Sequence, residues 1–344
     1  MAQVVTFGEI MLRLMPPGFK RFVQARAFEA TYGGGEANVA VSLANFGVEA
    51  EFVTRLPANE LGDAAIFRLR QFGVHTDHIV RGGDRLGIYF LEAGAAQRGS
   101  KVIYDRDFSS FATIQPGSVN WENVLAGAEW FHWTGITPSV SEGAALACEE
   151  AIHAARQKGL TISCDLNHRA KLWKWGKSPN EVMSRLAQES DVMISNEEDA
   201  DKVFGIHAPE TDVNSGIVDA GKYRTVCEAL AQKFPRLKTI AITLRGSMSA
   251  SHNTWSAAIW HNQKYLVGPC YDILPVVDRV GSGDAFMAGL IFGFLKNPED
   301  PDYALRFAVA ASCLKHGIPG DFNVVGCEEV EQLMAGNGSG RVSR

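Results

Sequence analysis

Apolar residues recur along this chain in two alternating periods. Val4 to Phe7 is a short β-branched and aromatic run closed by Gly8, the pattern of a buried strand. Pro16-Pro17-Gly18 breaks the next apolar stretch. Phe22, Val23, Ala25, Ala27 and Phe28 then give an irregular extended segment up to Gly33-Gly34-Gly35. From Glu36 the spacing changes. Val39, Leu43 and Phe46 fall three or four residues apart and Gly47 follows as a stop, which predicts an amphipathic helix over 36–46. Beyond it the same criteria predict strand over 52–55 and helix over 61–72. Two alternating segments at 88–92 and 101–106 read as a hairpin or paired strands. Strands follow over 128–133, 160–165, 192–195 and 239–243, with helices over 141–157, 180–188, 197–203 and 223–234 between them. Two more helices, over 283–294 and 302–316, fill the last third.

Strands alternating with helices at this spacing imply an α/β fold with a mostly parallel sheet covered on both faces. The segments 11–33 and 86–110 break the alternation and read as insertions packed together in one small sheet. No internal repeat or low-complexity linker divides the rest. The Gly/Ser-rich end, residues 336–344, reads as a disordered tail.

Composition narrows the function classes. With 46% hydrophobic and 21% charged residues, the 344-residue chain is ordinary for a globular enzyme. A formal net charge of −6 disfavours nucleic-acid or anionic-membrane partners, which reward clustered basic surface. It leaves room for a small anionic substrate, because a pocket needs only two or three local cations. The six cysteines (148, 164, 227, 270, 313 and 327) are widely spaced without a C-x-x-C pair, and are expected as buried free thiols in a reducing compartment. The opening MAQVVTFGEIML has no basic region followed by a long apolar one, and no apolar run reaches the roughly 20 residues of a membrane span. The expected location is the cytoplasm.

Three loops carry candidate chemistry. Asp278-Arg279-Val280-Gly281-Ser282-Gly283-Asp284 joins an apolar stretch to a helix. Glycines there let several N–H groups point one way, making an anion nest reinforced by the positive end of the helix dipole. A carboxylate in the first turn is placed to accept a proton from an alcohol. On local sequence alone, Asp284 reads equally as a helix cap. Gly33-Gly34-Gly35-Glu36-Ala37-Asn38 permits close approach of backbone to a ligand, with Asn38 suited to sugar hydroxyls, or is a hinge feeding a helix. Asp165-Leu166-Asn167-His168-Arg169 follows a strand, at the sheet end where ligands gather. Arg169 there, or Arg106 at another strand end, is either a bidentate clamp for a carboxylate or phosphate or a surface ion pair. No G-x-x-x-x-G-K-[ST] loop exists, and no G-x-G-x-x-G follows the first strand, which argues against a P-loop nucleotide site and a dinucleotide dehydrogenase.

Together the GGGEAN and GSGDAF stretches resemble the two signature regions of the ribokinase (PfkB) carbohydrate kinase family, and the resemblance covers nearly the whole chain. Val5–Glu9 looks like that family's opening strand and Gly33–Gly47 like its first motif. Asn196-Glu197-Glu198-Asp199 looks like its magnesium-linked N-x-x-E motif, Thr243–Ser247 like its nucleotide segment, and Asp278–Asp284 like its D-T-x-G-A-G-D motif. This implies a ribokinase-like three-layer fold. Residues 1–10, 34–85 and 111–335 would form the large domain, and 11–33 with 86–110 a β lid.

By the same resemblance Asp284 is the general base, with the amides of Gly281, Ser282 and Gly283 as the anion hole. Gly34 and Asn38 would hold the sugar. Asn196, Thr243, Gly246 and Ser247 would line the nucleotide site. Asn196 and Asp199 would order Mg²⁺ through water. ATP is the implied co-substrate, with a monovalent cation as a further candidate and a homo-oligomer formed through the lid. Departures from the pattern are Arg279 for Thr, Ser282 for Ala, one extra residue between Thr243 and Gly246, and Asp199 for Glu.

Within the family the chain is most similar to 2-keto-3-deoxygluconate kinases, in Phe7–Leu14 with Pro16 and Arg21-Phe22, Gly87–Phe90, Tyr104–Arg106, and Asp165–Arg169 with Leu172-Trp173. The implied acid-sugar grip is Tyr89, Tyr104, Arg106 and Arg169, and the implied product is the 6-phosphate. Alternatives are a fructokinase or other neutral-sugar kinase of the same fold, and a non-catalytic sugar-responsive binding protein.

Overall fold

The computed structural model describes residues 3–196, 198–208 and 220–338. Its strands are β1 (Val4–Phe7), β2 (Met11–Met15), β3 (Glu29–Gly33), β4 (Ala50–Val53), β5 (Arg55–Leu56), β6 (Val80–Arg81), β7 (Gly87–Glu92), β8 (Lys101–Asp105), β9 (Trp130–Thr134), β10 (Thr161–Asp165), β11 (Val192–Asn196), β12 (Thr239–Ser249), β13 (His252–His261), β14 (Lys264–Val267) and β15 (Tyr271–Ile273). The helices are α1 (Gly35–Asn45), α2 (Glu60–Gln71), α3 (Trp121–Val124), α4 (Ile136–Val140), α5 (Glu142–Gln157), α6 (Pro179–Leu186), α7 (Asp199–Phe204), α8 (Tyr223–Lys233), α9 (Ser282–Lys296), α10 (Pro301–Lys315) and α11 (Cys327–Met334).

The main sheet runs β14-β13-β12-β11-β10-β9-β1-β4, with β15 added against β13. From β4 through β12 every pairing is parallel. These strands read as near-continuous apolar runs because both faces are covered. One face buries α1, α2, α9, α10 and α11 around Phe46, Phe286 and Phe307. The other buries α3, α5, α6, α7 and α8 around Trp133, Met183 and Phe234. The result is three layers, helix–sheet–helix.

The antiparallel end, β13 to β15, departs from the alternation read in the sequence. Its inner strand β13 is largely buried, so it lacks the polar alternation of a half-exposed strand. The β13–β14 turn is built on Asn262 and Gln263, both with positive φ, rather than on the Asn-Gly that announces a tight hairpin. Strand β12 also runs six residues past the expected end at 243, because its continuation pairs with β13 as far as Ser249.

The two irregular insertions do form one small sheet, in the order β3-β2-β7-β8. Its outer strand β8 leaves Val102 and Ile103 exposed. All six cysteines are free. Cys148, Cys164 and Cys227 are buried as expected, whereas Cys270 is exposed and Cys313 and Cys327 are half-buried. Among the described residues no helix is long and apolar enough to cross a membrane. Residues 339–344 of the expected tail, and Glu197 at the start of the helix expected over 197–203, lie outside the described residues. That helix is observed as α7, from Asp199.

Candidate active site

Helix α9 sets the site. Its cap residue Gly281 has φ 85°, a left-handed conformation open to glycine, and a Cβ there would stand 2.1 Å from the Asp321 carbonyl oxygen. The turn therefore needs glycine on two counts. Ser282's amide is turned back to the Arg279 carbonyl at 3.3 Å. The amides of Gly283 and Asp284 belong to the first turn, where N–H groups have no intrahelical acceptor. Asp284 thus stands beside a cluster of backbone donors at the positive end of a 15-residue helix.

From the other side, α1 brings Asn38. Gly34 precedes that helix where a Cβ would lie 2.0 Å from the Glu9 carbonyl oxygen. This contact presses the Gly34–Asn38 turn against the end of β1. Glu36, fully buried, accepts hydrogen bonds from the Thr134 hydroxyl at 2.8 Å and the Thr137 hydroxyl at 2.7 Å, which locks α1 onto the end of β9. Burial lifts the Glu36 carboxyl to about 7 despite these bonds. Asn38 then donates to Asp284 Oδ2 at 2.6 Å and accepts from the Gly34 amide at 3.3 Å.

These groups open into one cavity of about 410 Å³. Its wall includes Gly34, Asn38, Tyr89, Tyr104, Arg169, Asn196, Asp199, Thr243, Gly281, Ser282, Gly283 and Asp284. Twelve of the expected site residues are therefore brought together there. Arg106, Gly246 and Ser247 are not on this wall. Arg106 is buried in an ion pair with Glu9, and its guanidinium stands 5.7 Å from the Tyr104 ring centroid. It braces Tyr104 from behind instead of facing the cavity, which departs from its expected place in the sugar grip. Gly246 and Ser247 continue β12 away from the wall, opposite Thr254 and Asn253.

The electrostatics of the wall are uneven. Burial lifts Asp284 to about 6, the Asn38 hydrogen bond pulls the other way, and Asp321 adds to the rise. A helix N-terminus alone would hold a carboxylate low; here desolvation wins. Asp165 is pushed well above the carboxylate range by burial and by the charges of Asp199 and Asp284. Burial raises Asp199 as well, against the opposing pull of Arg169. Asp165 thus stands near two like charges on the same wall. Among the described residues, however, no group of three or more His, Cys, Asp or Glu side chains is arranged as a metal cage. Mg²⁺, which keeps several waters and leans on substrate phosphates, does not need such a cage. Asn196 Oδ1 accepts the amides of Glu198 and Asp199 at 2.9 Å each, so it fixes the turn that presents Asp199.

Sequence reasoning did not single out Arg245 or Arg13, and noted Arg279 only as a departure from the motif. Arg245 lines the cavity and donates to the Ser282 hydroxyl at 3.2 Å, with its guanidinium 5.1 Å from the Trp255 ring centroid. The extra residue between Thr243 and Gly246 was the available signal. Arg279 also lines the wall and donates to the Ala250 carbonyl at 2.9 Å. Finally, Arg13 of β2 is fully buried between Asp321, at 2.7 Å, and Asp278, at 2.5 Å. Burial works against its charge, and the two carboxylates more than restore it. Tyr89 of β7 donates to Asp321 at 2.6 Å, so its hydroxyl is committed to this network while its ring faces the cavity. The small sheet is thereby fastened to both flanks of the Asp278–Asp284 loop.

A model of the pfkB carbohydrate kinase family matches residues 1–321. A 2-dehydro-3-deoxygalactonokinase from Haloferax volcanii is 33% identical over 341 residues, covering 98% of each chain. A 2-dehydro-3-deoxygluconokinase from Thermoproteus tenax is 27% identical, covering 97% of this chain and 94% of that one. Among solved structures, a 2-dehydro-3-deoxygluconokinase from Thermotoga maritima superposes with a TM-score of 0.92 at 48% identity, covering 97% of this chain and 100% of that one.

Proposed function

The chain belongs to the pfkB family of carbohydrate kinases, and on that footing we propose that it transfers the γ-phosphate of ATP to the C6 hydroxyl of 2-keto-3-deoxygluconate. The observation that carries this reading is the shared cavity, in which Asp284 and its donor cluster stand on the same wall as Arg169. The names of the relatives in Thermotoga maritima and Thermoproteus tenax agree with the gluconate form, and that of the Haloferax volcanii relative with its galactonate epimer.

In this mechanism Arg169 grips the sugar-acid carboxylate, a charge-assisted pairing worth about 1.5–3 kcal/mol. Gly34 and Asn38 hold hydroxyls. With Arg106 tied to Glu9, the acid grip rests on Arg169, and Arg106 keeps Tyr104 in place. The C6 oxygen attacks the γ-phosphorus, its proton passes to Asp284, and the bond to the ADP oxygen breaks. A carboxyl near 6 is a base whose ionised form predominates at neutral pH. The amides of Gly283 and Asp284, with that of Gly281 and with Arg245 beside the Ser282 hydroxyl, receive the charge on the transferring group, while the Ser282 amide stays on the Arg279 carbonyl. Thr243 and Asn196 would flank the nucleotide at the cavity wall, and Gly246 and Ser247 would meet it only where it extends beyond that wall along β12. Asp199 and Asp165 would hold Mg²⁺ through water, and that ion would neutralise phosphate charge. The small sheet acts as the lid that keeps water from competing as acceptor. We also propose that the exposed Val102 and Ile103 of that sheet meet a second copy of the chain, which size-exclusion chromatography tests directly.

A coupled kinase assay across keto-deoxy acids and neutral hexoses, with the product identified by phosphorus NMR, tests the reading. Turnover on the keto-deoxy acid with a C6 phosphate is expected. Fructose turnover with no acid-sugar turnover would replace it with a neutral-sugar kinase, and sugar binding without any transfer would replace it with a binding protein.

A further inference from the structure

Lys315, the last residue of α10, is fully buried, and the mechanism above does not use it. A buried ammonium is expensive unless it is matched. Its two hydrogen-bond partners are carbonyl oxygens, those of Ile318 at 3.0 Å and Asp278 at 3.4 Å. Burial lowers its proton affinity, and the nearby Asp278, Asp321 and Asp284 carboxylates oppose that. Asp278 opens the loop that forms the donor cluster. Its carboxylate takes the Val280 amide at 3.0 Å and the Gly320 amide at 3.1 Å, along with Arg13. The ammonium therefore binds together the two backbone segments, at Asp278 and Ile318, that frame the base of the anion loop.

Backbone carbonyls converging on a single positive charge are also how proteins hold a potassium ion, and two of them meet the Lys315 ammonium. We propose that Lys315 is a built-in monovalent cation: its ammonium sits on the Asp278 and Ile318 carbonyls as a positioning residue, keeps the Asp278–Gly283 loop in its phosphoryl-receiving shape, and makes the enzyme independent of added K⁺ or NH₄⁺. The role follows from the kinase reading of the same loop. A lysine that served only as a helix-end cap would have no reason to be replaceable by a free ion.

The test uses the full chain and substitutes tetramethylammonium, too large for a carbonyl site, for K⁺ at a constant ionic strength of about 0.1 M. Wild-type turnover is expected to be unchanged by the exchange. Lys315→Ala is expected to lose about tenfold or more in kcat in tetramethylammonium, and to recover several-fold in KCl or NH₄Cl. A folded Lys315→Ala with wild-type kcat in tetramethylammonium overturns the proposal, as does a folded slow variant that no ion restores. A wild-type rate that rises about fivefold or more with KCl overturns it also, and that arm stands even if the variant fails to fold. Crystals soaked in RbCl give a readout without turnover. Anomalous density between the two carbonyls is expected in Lys315→Ala, or in Lys315→Met if alanine does not fold, and not in wild type. The reverse pattern sinks the idea. A chain silent on every sugar would overturn the substrate reading while leaving the rubidium result to decide this one.

Discussion

Replacing Asn38 with alanine removes the 2.6 Å hydrogen bond that it donates to Asp284. That bond opposes the burial that lifts Asp284 to about 6. A hydrogen bond to an ionised carboxylate contributes about 1.5–3 kcal/mol, and 1.36 kcal/mol corresponds to one pKa unit. Losing it should lift Asp284 by about one to two units, to about 7–8. Because the base must be ionised, rates rise with pH through this value, and kcat/KM reports it for the free enzyme. Measured at saturating ATP across the pH range, the acidic limb should centre near 6 in wild type. In Asn38→Ala it should centre about one to two units higher. The variant should fall furthest behind below pH 6 and narrow the gap in alkali. Asn38 also touches the sugar in this account, which lowers the whole curve but does not move its limb. A uniform loss with an unmoved limb would show that Asn38 does not tune the base, and would refute the electrostatic assignment of Asp284.

Further consequences concern the grip and the turn. Arg169→Ala should raise KM for the sugar acid by about 10–100-fold, the loss of one charge-assisted pairing, with the KM for ATP little changed in the same kinetic series. Gly281→Ala meets both a left-handed φ and a Cβ 2.1 Å from the Asp321 carbonyl. It should destabilise the fold by about 1–3 kcal/mol in urea titration and depress kcat by disturbing the donor cluster.

Much of this architecture was legible because parallel strands buried on both faces leave long apolar runs between helix-period segments. The two glycine-rich loops were equally plain, since close backbone approach at Gly34 and a positive φ at Gly281 demand that residue type locally. The antiparallel end was not, because β13 is buried without alternation and its turn lacks glycine. Side-chain commitments were less legible still. Arg106 carries the same letter whether it faces a ligand or Glu9, and only the fold brings Glu9 to it across 97 residues of sequence. Arg13, Asp278 and Asp321 are likewise joined over separations that no local pattern records. The direction of the Asp284 shift also depended on burial. The helix dipole argued for a low value, and desolvation outweighs it.

Asp284→Asn tests the central claim most directly. The folded-state value near 6 lies above the ordinary 3.8, so ionised Asp284 opposes folding above that range, and the opposition fades as pH falls through 6. The neutral variant should therefore melt no lower than wild type at pH 8, which removes unfolding as an explanation. Phosphoryl transfer from ATP to 2-keto-3-deoxygluconate should drop by about 10²–10⁴-fold, while calorimetry finds ATP bound with near-native affinity. Turnover within a few-fold of wild type would mean that another group takes the proton, and the assignment of Asp284 as the base would be wrong.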